Sequence, residues 1–525
     1  MIQPDQTGLY HPTSEADIVE LVQHAIQNNL QVRVRGAAQS ADGSVYADGY
    51  SSTAAGKNIN MQLDQLRSVA IDETKMQVTV GGGCNLGYDP FDPSHTSSDK
   101  DNNNLFFQLH QKGLAIPNVA DETHQTVAGF ISTGSSAGSM IHSFDECILS
   151  VRLVDGTGKI QTFTRSADLN DPFYGVIVSM GLMGIITSVT LQCVPAFTIT
   201  GTETTTAVTD CEFDFFGSGS GSKLSASKFF STTEFTRTMW WPYQTLHRAV
   251  VWKAKTMGPA DFTSMAGTQA KFVPKPYTSI FPSVEGSTFP AEAVASTGFT
   301  MIASWPSWFN DLVGKSSSEQ KLKALLIKAG IETAFPYVYP LLIDIFMPIN
   351  NSSKPAKTFW DYWYKCLPMD KVEFSNNLFD LAYAEMWMPM DQAGSILTDM
   401  QNLYEQKGYA ATGFFTTEIF AAKKSDFWLS PAYDQDSIRI NLLWFAANIG
   451  EPMKYFQEFW DLFAKYEFRP HWGKNLPPAT DTNVNYLKSR YPRWNDWLKL
   501  RGQLDPNQIF MTTYWRTHLG VVANN

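Results

Sequence analysis

The stretch that most constrains this chain is Gln125-Thr126-Val127-Ala128-Gly129-Phe130-Ile131-Ser132-Thr133-Gly134-Ser135-Ser136-Ala137-Gly138-Ser139, whose second half holds only small residues. Gly129, Gly134, Ala137 and Gly138 let a backbone come close to a ligand, because little side chain stands in the way. Ser132, Thr133, Ser135, Ser136 and Ser139 carry hydroxyls that donate to phosphate oxygens. Successive N–H groups in such a loop form an anion cradle. A flexible serine/glycine loop has the same composition, so the stretch alone leaves both readings open.

Two more units of the same kind lie upstream. Val32-Arg33-Val34-Arg35 alternates as a strand does and runs into Gly36-Ala37-Ala38-Gln39-Ser40. Val78-Thr79-Val80 runs into Gly81-Gly82-Gly83. Neither glycine pattern is G-x-G-x-x-G opening a helix or G-x-x-x-x-G-K-[ST], so the usual dinucleotide and P-loop fingerprints are absent.

Composition narrows the class. A chain of 525 residues has room for one to three domains with ample core. Fifteen Trp, 35 Phe and 20 Tyr suit a large interior, either densely packed or holding a roomy stacking cavity. A net charge of −11 argues against a nucleic-acid binder, which needs a basic face. Five Cys without paired spacing give neither a disulfide scaffold nor a zinc pattern. Asp121-Glu122-Thr123-His124 lacks a second ligand at helical spacing, so no metal is assigned. The polar N-terminus has no signal-peptide pattern. The longest apolar run, Pro340–Met347, is too short to span a bilayer. These features point to a soluble, cytoplasmic protein.

Along the chain, Thr13 or Ser14 caps an amphipathic helix through Ile18, Leu21, Val22 and Ile26, ending at Asn28-Asn29. Leu105–Gly113 reads as a short helix stopped by Gly113. Ile148–Val154 and Ile160–Thr164 flank the hairpin signal Asp155-Gly156-Thr157-Gly158. Gly181–Leu191 reads as a buried strand. Phe215–Ser222 reads as a flexible insertion. Thr238–Tyr243 and Ala249–Lys253 read as two strands of one sheet, and residues 257–310 as a surface excursion or a lid.

The C-terminal third carries Thr417-Glu418-Ile419-Phe420, Trp428-Leu429-Ser430-Pro431-Ala432-Tyr433, Asn441-Leu442-Leu443-Trp444 and His471-Trp472-Gly473-Lys474. Together with the small-residue turns, these runs resemble the vanillyl-alcohol-oxidase-type (PCMH-type) FAD flavoproteins. The Trp-Leu-Ser-Pro-Ala-Tyr and His-Trp-Gly-Lys runs are similar to those of the aldonolactone oxidase and alditol oxidase branch. The resemblance implies an α+β protein. Residues 1–195, completed by 476–525, would form the PCMH-type FAD-binding domain. Residues 196–475 would form a substrate domain on a large antiparallel sheet flanked by helices.

The resemblance also implies site roles. Arg35, Gly36, Ala37, Ala38, Gln39 and Ser40 on one side, and Gly129, Ser132, Thr133, Gly134 and Ser136 on the other, would hold the FAD pyrophosphate. Ile186 would meet the adenine side. Gln39 stands where many members have the histidine that bonds covalently to flavin, so FAD is expected to be non-covalent unless another residue links it. Trp428, Phe420 and Asn441 would contact substrate, and Lys474 would lie near the flavin.

Glu418 and Phe420 share a strand face at i, i+2, as do Asn441 and Leu443, so a strand pair would gather Glu418, Phe420 and Asn441 over one site. Glu418 is the candidate to accept a hydroxyl proton, against the plain alternative of a strand carboxylate paired with Lys or Arg. Lys474 offers charge to an anionic reduced flavin. His471 is expected to be held by backbone. In polyol-oxidising relatives the positions of Phe420 and Asn441 hold Arg and His, so a substrate less polar than a simple alditol is expected. The expected reaction is hydride transfer from a CH–OH carbon of a small alcohol to flavin N5, with molecular oxygen as acceptor and hydrogen peroxide as product. Use of another acceptor or bond, or a non-catalytic flavin-binding role, are the alternatives.

Overall fold

The computed structural model describes residues 1–52, 56–89, 103–119, 122–242, 247–266, 272–277, 347–368, 381–408, 416–445 and 451–523. Leu9–Tyr10 (β1), Val32–Arg35 (β2) and Ile59–Gln62 (β3) form a parallel sheet in the order β1-β3-β2. Between the first two strands runs α1 (Glu15–Asn28), started by a capping box in which Ser14 and Asp17 exchange side-chain-to-backbone hydrogen bonds. Ile18, Leu21, Val22 and Ala25 fall at helical spacing and form its buried face.

A five-stranded antiparallel sheet follows. Its strands are Val69–Asp72 (β4), Gln77–Gly81 (β5), Ile148–Val154 (β6), Ile160–Thr164 (β7) and Ile185–Gln192 (β8), in the order β4-β5-β8-β6-β7. β6 and β7 are the expected hairpin, with Gly158 at φ 79° in its turn. Before it come the short helices α2 (Leu105–Gln111) and α3 (Val127–Ser132).

The largest sheet has eight strands: Thr198–Ala207 (β9), Phe235–Trp241 (β10), Arg248–Thr256 (β11), Lys357–Tyr362 (β12), Leu381–Pro389 (β13), Thr417–Ala422 (β14), Ser437–Phe445 (β15) and Arg469–Pro470 (β16). The order is β12-β9-β11-β10-β14-β15-β13-β16, and every pairing is antiparallel. Strand alternation splits its central residues between two faces. Met386, Ile440 and Ile419 lie on one face, packed in a core with Leu397 and Met400 of α4 (Ala393–Lys407) and Phe456 and Phe459 of α5 (Pro452–Phe463). The other face carries the polar side chains described below.

The C-terminus, with α6 (Asp481–Arg490), α7 (Trp494–Leu504) and α8 (Thr513–Leu519), returns to the first two sheets. Val32 N–H donates to Ile509 O at 2.8 Å, Gly156 N–H to Leu504 O at 2.8 Å, and Trp515 Nε1–H to Ser44 O at 3.0 Å. Ile509 and Phe510 complete a core with Ile18, Leu21 and Val32. The architecture is α+β, with a large antiparallel sheet flanked by helices. Among the described residues no helix is long and apolar enough to cross a membrane, and no group of three or more metal-ligating side chains assembles. All five cysteines are buried and unpaired.

The reading of Phe215–Ser222 as a flexible insertion needs correction. Phe215 is buried against Phe213 with ring centroids 5.0 Å apart, and the Asp214 carboxylate accepts from Gly217 N–H. The aromatic pair anchors the loop more firmly than its glycine and serine content suggests. Asp121, Tyr243 and most of 257–310 lie outside the described residues, as does the apolar run before Met347.

Candidate functional site

The two small-residue turns face each other across one cavity. From the first turn it is lined by Arg35, Gly36, Ala37, Ala38, Gln39 and Ser40. From the second side come Thr126, Gly129, Ser132, Thr133 and Ser135, with Ile186, His471 and Lys474 completing the wall. A Cβ on Gly36 would fall 2.1 Å from Thr126 Oγ1, so only glycine lets the turns meet. Ala38 sits at φ 56°, a strained conformation for a residue with a Cβ. Gly134 and Ser136 belong to the second turn but do not line the cavity. Gly134 is at φ 69°, packed near Pro431 and Val178, and Ser136 turns its hydroxyl to Ala137 O.

The polar face of the eight-stranded sheet is organised in rows. Glu385, Asn441 and Glu418 are direct partners across β13, β15 and β14. Trp387, Arg439 and Phe420 form the next row. Asn441 Nδ2–H donates to Glu418 Oε2 at 2.8 Å. Asn441 Oδ1 is buried and has no donor among the described residues. The expected gathering of Glu418, Phe420 and Asn441 on one face is therefore what the strand pairing produces. Phe420, however, lies 3% exposed against the Arg439 guanidinium, 4.9 Å from ring centroid to Cζ. Trp428 is not brought to this face: its Nε1–H donates to Leu169 O, and Arg493 covers its ring. The Trp-Leu-Ser-Pro-Ala-Tyr run turns away after Ala422, which explains the difference.

Arg439 Nε–H donates to Glu385 Oε1 at 2.8 Å, and both side chains are buried. Burial, the largest single influence, raises the Glu385 pKa, but the Arg439 charge and hydrogen bond together with the nearby His471 and Lys474 outweigh it and hold the carboxyl at about 2. His471 Nδ1 accepts from Gly473 N–H at 3.1 Å, which leaves Nε2–H to donate to Ser135 Oγ at 3.0 Å. Burial lowers the His471 pKa to about 4 despite nearby Glu385. The ring is thus neutral and held at one nitrogen by backbone, as expected, and at the other by the Ser135 side chain. Lys474 lines the cavity with its Nζ 4.4 Å from the centroid of Tyr383, two residues along the strand from Glu385.

A D-arabinono-1,4-lactone oxidase family model matches residues 302–518, and an FAD binding domain model matches residues 7–88. Over 518 residues the chain is 24% identical to the L-gulono-1,4-lactone dehydrogenase of Mycobacterium tuberculosis, covering 98% of this chain and 96% of that protein. It is 21% identical to the alditol oxidase of a Streptomyces species, over 87% of this chain and 84% of the other. Both family models and these relatives support a PCMH-type FAD flavoprotein of the aldonolactone and alditol oxidase branch. Its fold is also that of cholesterol oxidase from Brevibacterium sterolicum, with a TM-score of 0.68 at 16% identity, over 97% of this chain and 94% of that one.

Two observations fit the cavity of this flavoprotein to an anionic dinucleotide. The N–H groups of Ala37, Ala38, Gln39 and Ser40 have no acceptor among the described residues, as expected of a cradle for phosphate oxygens. Arg33, which also lines the cavity, is buried and has no carboxylate partner among the described residues. Its guanidinium donates to Ser44 O, Met180 O, Gly181 O and Phe510 O, while its Nε–H finds no acceptor. Burial alone pulls its pKa down to about 10. A buried cation left without a counter-charge is costly, and a bound diphosphate is the anion that would offset it.

Sequence reasoning missed Arg33, Arg439 and Glu385. The strand alternation that located Asn441 also placed Arg439 two residues earlier on the same face. For Arg33 no such signal existed, because alternation put it opposite the apolar Val32 and Val34.

Proposed function

We propose that this flavoprotein oxidises a CH–OH group of a small alcohol or lactone-type substrate. Residues 1–195 with 476–525 form the FAD-binding part, and 196–475 the substrate part. Bound FAD supplies the hydride acceptor, with molecular oxygen as the final acceptor and hydrogen peroxide as the product. The observation that carries this reading is the Glu418–Asn441 pair, with its unfilled acceptor Asn441 Oδ1, on the sheet face that also carries Tyr383 beneath Lys474.

In this reading Arg35, Gly36, Ala37, Ala38, Gln39 and Ser40 grip the diphosphate from one side, and Gly129, Ser132 and Thr133 from the other. Ile186 meets the adenine side. Gln39, whose Nε2–H turns back to Ala37 O, forms no bond to the flavin, so the cofactor is non-covalent. Glu418 takes the hydroxyl proton as the carbon is oxidised, and Asn441 holds the carboxylate and accepts a neighbouring substrate hydroxyl through Oδ1. Lys474 places positive charge where negative charge develops. Phe420 offers a ring where polyol-oxidising relatives have a guanidinium, so the substrate is less polar than a simple alditol.

The test begins with an absorbance spectrum before and after acid precipitation. Flavin bands that move to the supernatant support non-covalent FAD. Anaerobic titration with aldonolactones, alditols and less polar alcohols then asks which bleaches the flavin, and admitting air reads the acceptor. A protein that never takes up FAD removes the proposal. A second reading, a dehydrogenase using another acceptor, is favoured by the relative named L-gulono-1,4-lactone dehydrogenase. Slow reoxidation in air, with rapid reoxidation by a quinone or cytochrome, would select it.

A further inference from the structure

The turn 135–138 is fastened to the substrate sheet at three successive points. His471 reaches Ser135 Oγ at 3.0 Å. Arg439 Nη1–H donates to Ser136 O at 2.7 Å and to Ala137 O at 3.3 Å. Thr236 N–H donates to Gly138 O at 2.9 Å. Of the three fastenings, Arg439 alone is a buried charge. Glu385 fixes its Nε, and the guanidinium lies between two rings, 4.7 Å from the Trp387 centroid and 4.9 Å from that of Phe420. Because Trp387, Arg439 and Phe420 are register partners on three adjacent strands, this stack is set by the sheet itself. A planar fork with several donors can hold an acid and two carbonyls at once; an ammonium at the end of a flexible stem cannot. Each pinned carbonyl also fixes the N–H on the same peptide plane. Those N–H groups, of Ala137 and Gly138, point away from the guanidinium.

We propose that Arg439 is a positioning residue for the cofactor: its guanidinium, braced by Glu385, Trp387 and Phe420, locks the turn 135–138 in the form that retains FAD. This rests on the FAD reading above. The guanidinium touches no part of the cavity wall directly; it acts through the turn, so cofactor retention depends on a substrate-sheet residue.

The experiment measures FAD affinity by fluorescence titration of deflavinated protein, together with the melting temperature of the same apoprotein. The variants are Arg439→Lys, which keeps charge beside Glu385, and Arg439→Met with Glu385→Gln, which removes both buried charges together. Ser425→Ala, which cuts a contact to Asp145 beyond the end of the strand that carries Glu418, is the control. The expected result is FAD binding weakened about tenfold or more in both Arg439 variants, the scale of one lost charge-assisted hydrogen bond. The apo melting temperature of the double variant should stay near that of the parent, and the control should bind FAD as the parent does. Unchanged FAD affinity in the double variant overturns the proposal, as does an equal loss in the control. Failure of the parent protein to bind FAD would instead remove the cofactor reading itself.

Discussion

Asn441 and Glu418 face each other from directly paired positions of neighbouring strands, and the amide donates to the carboxylate at 2.8 Å. The contact holds the Glu418 carboxyl in place on the sheet face, and a general base must be positioned in this way. Glu418→Gln keeps the shape and removes the base. Its rate of anaerobic flavin reduction by substrate, followed at the flavin band in a stopped-flow instrument, should fall about 10²- to 10⁴-fold while FAD stays bound. An undiminished rate would take the proton-accepting role away from Glu418.

Lys474 lies at the junction of cavity and sheet, above Tyr383. A fixed positive charge there favours the reduced, anionic form of a flavin over the oxidised one. Lys474→Met should therefore lower the reduction potential of the bound flavin and slow its reduction by about 10²- to 10³-fold. Spectroelectrochemical titration reads the potential independently of substrate. A potential equal to that of the parent protein would place the charge elsewhere.

Gln39 lines the cavity within the first turn, and the family resemblance puts it where many members carry the flavin-linking histidine. Gln39→His restores an imidazole nucleophile to a turn that already holds the backbone conformation. The variant should retain yellow colour in the acid-precipitated pellet, whereas the parent protein should release it. Colour in both pellets would mean that a different residue of the parent forms the link.

The sequence was most legible where one local rule decided the outcome. Ser14, the periodic Ile18, Leu21 and Val22, and the Asp155–Gly158 turn each fixed an element from nearby residues. Alternation also placed Glu418 and Asn441 on one sheet face, because a period of two leaves no other choice once both segments are strands. What remained hidden depended on partners distant in the chain. Arg33 reads as an exposed strand cation, yet carbonyls from Ser44, Met180, Gly181 and Phe510 bury it. Arg439 meets Ser136 across 303 positions of sequence. Trp428 belongs to a family run, but its packing under Arg493 comes from the returning C-terminal helices. Motif resemblance placed the run and could not say which way its ring would face.

Asp145 supplies a prediction about pH. It is half-buried beside Ser425, whose hydroxyl donates to Oδ2 at 2.6 Å. Burial raises its pKa from 3.8 to about 6; the Ser425 bond and the Arg165 charge offset burial only in part, and Glu146 and Asp426 push the same way as burial. The folded protein thus binds more protons at this site than the unfolded chain does between pH 3.8 and about 6. Stability from this group is present at acid pH, falls as pH rises through that window, and stays lost above it. Asp145→Asn keeps an acceptor for Ser425 and removes the charge. It should melt higher than the parent protein at pH 7.5, by up to about 3 kcal/mol of stability, and converge with it near pH 4. His471 works in the opposite direction, because burial lowers its pKa from 6.5 to about 4, so acid costs stability there. That cost is common to both proteins, and the difference between their melting curves isolates Asp145. A difference that does not change between pH 4 and 7.5 would show that Asp145 has no raised pKa in the folded state.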